Sequence, residues 1–225
     1  MITQRFQYQS FDRTSIDGKR YYMTPDGGRL QSVTTILEAT KPAEQKAALQ
    51  AWRQRMGEQQ AQQITTEAAS RGTRMHRCLE HYVVADAVNP PGSNPYSQQS
   101  HQMATVIIEQ YLKPNCTAFY GTEVNLFYPG LYAGTTDCTA DWQGQLSIVD
   151  FKQTNRPKKE SHIESYFLQV CAYALAHNQL HGTDIQQGVI LMCSQNYEPQ
   201  HWIISGAEFQ RYSQLWAERV NQFYS

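Results

Sequence analysis

Asp137, Asp150 and Lys152 lie in a stretch, residues 131–152, where two runs of alternating character flank Gln143-Gly144. If Gln143-Gly144 is a two-residue turn, cross-strand partners have numbers summing to 287, and Asp137 faces Asp150. The Cβ atoms of such a pair stand about 4.5–5.5 Å apart on one face of the sheet, and Lys152, two residues on, points the same way. Carboxylates that close raise one another's pKa unless a cation lies between them. Oxygen donors favour Mg2+ or Mn2+ over zinc, and a neighbouring lysine can neutralise charge developing on a phosphate. The same spacing also suits a surface hairpin with solvated aspartates, and a one-residue bulge would break the register.

The flanking pattern says what holds this hairpin. Residues 117–127, 131–141 and 146–152 read as three short strands of an antiparallel meander, separated by Pro129-Gly130 and Gln143-Gly144. Residues 160–179 return to helical spacing through Ile163, Phe167, Val170, Cys171 and Ala174. Residues 188–192 and 201–204 read as adjoining strands, and 207–223 as a closing helix. Upstream, Ser32 caps a short helix to Leu37, Pro42 opens a helix that Gly57 stops, and a third helix runs from Thr66 to Asp86. Residues 89–95 are a loop, followed by a helix over 98–112 that Pro114 ends. Residues 1–31 suit a hairpin or an arm. The expected fold is α/β, a mixed central sheet flanked by helices with an αβββαβ core and a helical extension before it.

The chain has 225 residues, 40% of them hydrophobic, enough for one domain with a real core. We expect a single domain over 1–225, with residues 1–65 as arm and helices and 66–225 as core. No apolar run reaches the roughly 18 residues of a membrane helix, and the first residues lack the order of a signal peptide, so the expectation is a soluble, cytoplasmic protein without membrane partners. The five cysteines are scattered, with no C-x-x-C pair, which indicates neither a disulfide framework nor a zinc ribbon. Net charge is −1, against coating nucleic acid by bulk positive charge, yet residues 1–77 carry +5 and residues 78–225 carry −6. A local basic surface is compatible with that split.

Three fragments in order, Gly134-Thr135-Thr136-Asp137, Ile148-Val149-Asp150-Phe151-Lys152-Gln153-Thr154 and Gln169-x-x-x-Tyr173, closely resemble the RecB-like branch of the PD-(D/E)XK nucleases. Gln31-Ser32-Val33-Thr34-Thr35-Ile36-Leu37 and the run from Arg71 to Glu80 are similar to the mitochondrial genome maintenance exonuclease group. The resemblance spans residues 31–177 and implies the αβββαβ core. It implies that Asp137 and Asp150 bind Mg2+ or Mn2+, that the Phe151 carbonyl is a further ligand, that Lys152 is the catalytic lysine, and that His76 is the ligand from the early helix. Gln169 and Tyr173 would hold the DNA strand near the scissile phosphate. No proline precedes the first aspartate, a departure from the family pattern.

Around these residues, Glu80 lies one helical turn after His76 and can position it, while Glu123 either supports the site or faces solvent. Arg156, Lys158 and Lys159 form a basic loop suited to phosphate, with Thr154 beside it and Arg71, Arg74 and Arg77 able to line a groove. Tyr21, Tyr22 and Trp52 offer aromatic faces to unpaired bases. His76-x-x-x-Glu80-His81 fails the spacing of zinc peptidase motifs. No four-cysteine set follows Cys193, so no iron–sulfur cluster is expected, and without a Walker A sequence any helicase or other repair or replication partner is a separate chain. The leading expectation is a metal-dependent deoxyribonuclease, an exonuclease acting on single-stranded ends. The rivals are a structure-specific or restriction-like endonuclease and a catalytically idle module that binds DNA or protein.

Overall fold

The computed structural model describes residues 2–225. Its central hairpin forms where the turn chemistry requires: Gln143 and Gly144 both have positive φ (52° and 84°), the twist that a two-residue turn needs to match its strands. Five strands make one sheet in the order β4 (Cys116–Tyr128), β5 (Tyr132–Trp142), β6 (Gln145–Thr154), β7 (Gln187–Ser194) and β8 (Pro199–Ser205). Only the β6–β7 pairing is parallel, so the sheet is mixed as expected. A crossover through a 3-10 turn (Glu160–His162) and helix α6 (Glu164–His181) makes that parallel pairing possible.

Ahead of the sheet, β1 (Arg13–Ile16), β2 (Lys19–Met23) and β3 (Arg29–Gln31) form a small antiparallel sheet of their own. Helix α1 (Val33–Ala39) begins where Ser32 accepts the Thr35 amide at 3.0 Å. Helix α2 (Ala43–Met56) buries none of its residues, and Gly57 at φ 78° breaks it from α3. Helix α3 (Glu58–Ala85) starts well before the expected Thr66 and runs unbroken across positions 65 and 66. Its first turns lack an apolar stripe, so periodicity alone could not reveal them. Helix α4 (Pro95–Ile107) passes into a π turn (Ile108–Leu112) and the short α5 (Lys113–Asn115). Pro114 therefore does not stop the helical path: it falls in the first turn of α5, where a missing N–H costs nothing. Helix α7 (Gly206–Tyr224) closes the chain.

The sheet is covered on both faces. Ile148, Ile190 and Met192 share a core with α1, α6 and α7 on one side; Cys138, Val149, Phe151 and Leu191 share another with α3 and α4. With Val149 and Phe151 of β6 in the α3–α4 core, alternation sends Asp150 and Lys152 toward the α6 side, whereas Asp137 on β5 meets α3. Among the described residues no helix is long and apolar enough to cross a membrane.

Candidate active site

The hairpin follows the 287 register from Trp142↔Gln145 as far as Cys138↔Val149, and there β5 and β6 part. The expected facing pair of Asp137 and Asp150 does not form. From Ile148 onward β6 runs parallel to β7, and the Phe151 amide is taken instead by the Asp137 carboxylate, with Oδ2 accepting at 2.7 Å. A strand that splays must satisfy its freed amide, and a short acid on the neighbouring strand end does so. Thr122 on β4 donates to the Asp137 carbonyl at 2.9 Å from the other side.

Into this split comes α3. Gly72 allows the approach, because a Cβ there would stand 3.2 Å from Gln153 Cγ on β6. One turn later, His76 Nδ1 lies 3.5 Å from Asp137 Oδ1. Glu123 completes a cluster: ligand atoms of His76, Glu123 and Asp137 all lie within 4.8 Å of one another. Glu123 sits at φ 49° inside β4, a left-handed conformation uncommon for a side-chain-bearing residue, and it aims its carboxylate at this point. Two carboxylates and an imidazole are a hard, anionic donor set that suits a divalent cation. Glu80 lines the same cleft wall without a hydrogen bond to His76 among the described contacts.

Asp150 stands apart from that trio. It is 1% exposed, and Lys152 Nζ lies against its Oδ2. Lys152 is held on two further sides, by Gln169 Oε1 at 3.2 Å and by the Tyr166 ring, whose centroid is 4.9 Å from Nζ. Burial raises the Asp150 pKa against the pull of Lys152, and Asp137 adds to the rise. Burial acts the same way on Asp137 and is the largest single influence, but the charge and hydrogen bond of His76, the Lys152 charge and the Phe151 amide together outweigh it, and the Asp137 pKa is lowered. Burial opposes the Lys152 cation too, and Asp150 and Asp137 overcome it, so its pKa is raised. The two carboxylates thus have their proton affinities pushed apart by environment.

Tyr173 corrects the sequence reading. It is 3% exposed, with its ring against the backbone of Gly134, where a Cβ would lie 2.6 Å from Cε1. It cannot present a face to a strand; its hydroxyl instead accepts from Gln169 Nε2 at 3.3 Å, so it orients the amide that holds Lys152. Gly134 is small because Tyr173 packs there. Tyr22 is likewise buried, bonded through its hydroxyl to Thr135 at 3.0 Å, and is no stacking platform.

Beside Lys152 opens a cleft of about 840 Å³ lined by Trp52, Arg156, Lys158 and Tyr166 among others. Arg71 forms part of its wall but is only 6% exposed: Nε donates to Gln153 Oε1 at 2.9 Å, Nη1 to Gln195 Oε1 at 3.3 Å, and Nη2 to Asn155 Oδ1. It braces the end of β6 and is not an open phosphate contact. Arg74 is turned to α4, donating to Ser100 at 3.2 Å, on the far side of α3 from His76. Thr154 is buried and accepts no outside partner; its hydroxyl donates to the Arg156 carbonyl at 2.7 Å and shapes the loop. Gln200 on β8 clamps that loop at the Lys158 backbone from both sides (2.8 and 2.9 Å). Arg156 and Lys158 keep exposed side chains on the cleft; Lys159, also exposed, is not among the residues lining it. Gln153, Asn155 and Gln195 were not legible as site residues, because their role is to receive a buried arginine that only the packing reveals.

No protein-family model matches the chain. It is similar to mitochondrial genome maintenance exonuclease 1 of Xenopus tropicalis, 30% identical over 187 residues that cover 77% of this chain and 51% of that protein. The protein of the same name from Homo sapiens is 28% identical over 207 residues, covering 86% of this chain and 58% of its own length. The chain thus spans about half the length of the first of these relatives, and less than two thirds of the other. A solved structure from Eubacterium rectale is similar over 69% of this chain and 64% of its own, at 12% identity and a TM-score of 0.46.

Proposed function

From the premise that the chain is related to a family of nucleases, we propose that it is a metal-dependent deoxyribonuclease of PD-(D/E)XK type, an exonuclease hydrolysing phosphodiester bonds at single-stranded ends. The observation that carries this reading is the convergence of His76, Glu123 and Asp137 at the split of the hairpin, one residue from the Asp150–Lys152 pair and beside a basic cleft. His76, Glu123 and Asp137 would hold Mg2+ or Mn2+, with Asp150 and the Phe151 carbonyl as further ligands from β6. When bound, the cation would neutralise phosphate charge and lower the pKa of a water.

The chain's own residues do the rest. Lys152, kept cationic by two carboxylates, supplies positive charge where a phosphoryl group gains negative charge. Gln169, Tyr173 and the Tyr166 ring fix the direction of that ammonium, so little reorganisation is left for the reacting state. Asp137 orients His76 by accepting from it while the Phe151 amide holds Asp137 in turn. Arg156 and Lys158 contact phosphates without reading sequence, and Trp52 offers a stacking face to an unpaired base. A helicase or other repair or replication protein would be a separate chain. The test is end-labelled single- and double-stranded DNA, linear and circular, incubated with Mg2+, Mn2+ or EDTA. Cleavage of linear single strands with metal and none with EDTA is expected. Digestion of circles would favour an endonuclease, and no digestion under any condition would overturn the nuclease reading.

A further inference from the structure

Two clefts open along successive stretches of α3, on either side of the point where Gly72 touches β6. The large one, taken above as the strand cleft, is walled by Ile64, Ala68 and Arg71 of α3. The smaller, of about 380 Å³, is walled by Thr73, His76, Arg77 and Glu80, with Glu123 from β4 and Arg13 from β1. His76 and Glu123 of the convergent trio are therefore in its lining. Two guanidinium groups from distant parts of the chain stand at this cleft. Among the described contacts neither Arg13 nor Arg77 makes a side-chain hydrogen bond or ion pair, unlike Arg71, Arg74 and Arg219, which are all engaged. Arg13 is nonetheless close enough to Glu123 to bear on its charge.

The charge balance of the cleft identifies its ligand. Glu80 and Glu123 offset Arg13 and Arg77 while the site is free of metal. Once the trio's carboxylates are committed to a cation, the arginines keep their charge and lose a counter-charge, so an anion is the complementary guest. The lining also contrasts with that of the large cleft, which has the Trp52 and Tyr166 rings. The small cleft has no aromatic ring beyond the His76 imidazole, so it has no platform for a base. We propose that Arg13 and Arg77 form a phosphate-binding subsite that holds the short, released end of the strand, across the trio from the large cleft. The inference rests on the phosphodiesterase reading and deepens it: the small amino-terminal sheet, all four residues of whose first strand are exposed, serves to bring Arg13 to the site.

The test uses the full chain, 5′-dTMP and thymidine as competitors of cleavage, and a labelled 20-nucleotide single strand as the binding probe. dTMP is expected to inhibit cleavage by the parent and thymidine, lacking the phosphate, to inhibit far less. In the Arg13→Gln, Arg77→Gln double variant the half-inhibitory dTMP concentration should rise about tenfold, the worth of one charged hydrogen bond. The Kd of the 20-nucleotide strand in EDTA should change less than about threefold, whereas Lys158→Ala should weaken that Kd and leave dTMP inhibition as in the parent. Both arginines are exposed, and an unchanged urea midpoint will establish that the double variant folds. Equal dTMP inhibition of parent and double variant, or equal inhibition by thymidine and dTMP, overturns the subsite while leaving the nuclease reading intact. A parent that cleaves nothing with any metal removes both.

Discussion

Two histidines sit on long helices packed against opposite faces of one sheet, and they end with opposite proton chemistry. His76 on α3 meets Asp137 at the strand split; burial works against its cation, but the Asp137 charge and hydrogen bond outweigh that, and its pKa is raised. His177 on α6 is fully buried, with Nε2 3.0 Å from the Tyr8 hydroxyl and Nδ1 2.8 Å from Thr183 Oγ1. Both partners are hydroxyls. Burial, reinforced by His181 and Arg5, lowers its pKa to about 3. Burial opposes the charge on both, so the difference lies in the partner: the Asp137 carboxylate favours a charged His76, and the Tyr8 and Thr183 hydroxyls leave His177 a neutral pin for the amino-terminal segment. Helix α6 carries both kinds of work, since Gln169, Tyr173 and His177 follow one another at single-turn spacing, the first two serving Lys152 and the third holding Tyr8.

The harshest way to break the contrast is to take the carboxylate from His76. Asp137→Asn should lower the His76 pKa, abolish Mn2+ binding in calorimetry, and cut single-turnover cleavage by about a thousandfold. A His76 resonance that titrates as in the parent would show that Asp137 does not set its charge. Exchanging the test to stability should reverse the ranking of the two histidines. His177→Ala removes a buried ring and takes one hydrogen-bond partner from each of the Tyr8 and Thr183 hydroxyls, which keep Thr139 and Asn178, so urea unfolding should report a loss of about 2–4 kcal/mol, against less than about 1 kcal/mol for the partly exposed His76→Ala.

Gly134 lies under the helix that joins the two regions. Gly134→Ala would drive a methyl into the Tyr173 ring and displace Gln169 and Lys152 with it. Cleavage at saturating DNA should fall between about ten- and a hundredfold while Mn2+ affinity holds. Loss of metal binding instead would mean that the strand β5 itself had moved. The gentlest probe is pH in the metal-free protein. Because the unfolded chain protonates His177 below its ordinary value of about 6.5 while the folded one resists down to about 3, stability should fall as pH drops through that window, by up to about 1.4 kcal/mol per unit. His76 acts with the opposite sign: its raised pKa adds stability that is fully present below about pH 6.5 and is lost as pH rises through the folded value. A His177→Phe variant should flatten the acid limb of the curve; an unaltered limb would assign the proton uptake elsewhere.

The order of elements and the core faces were legible because both follow from local periodicity and turn chemistry. The hairpin register was legible for the same reason as far as Cys138↔Val149, since Gln143-Gly144 dictates it residue by residue. Beyond that pair the reading failed, because β6 leaves β5 for β7, a strand more than thirty residues away whose pull no local pattern carries. Tyr173 and Arg71 show the same limit from the side-chain end. Their types suggested contact with a strand, but Gly134 opens a place for one ring, and Gln153, Asn155 and Gln195 gather around the other's guanidinium.

By itself the amino-acid sequence determined which residues bring titratable groups to the candidate site, Asp137, Asp150, Lys152 and His76, and the strand and helix on which each is mounted. It could do so because side-chain chemistry and repeat period are properties of a few consecutive residues. Tertiary structure alone decided that Glu123 joins His76 and Asp137, that Asp150 turns to Lys152, and that Arg13 reaches the same cleft from the amino-terminal sheet. Those groupings depend on a left-handed residue in β4, on the splay of two strands and on the closeness that Gly72 permits between α3 and β6. Each is a distance between segments far apart in the chain, and such distances are set by how the faces of the sheet are covered rather than by any neighbour in sequence.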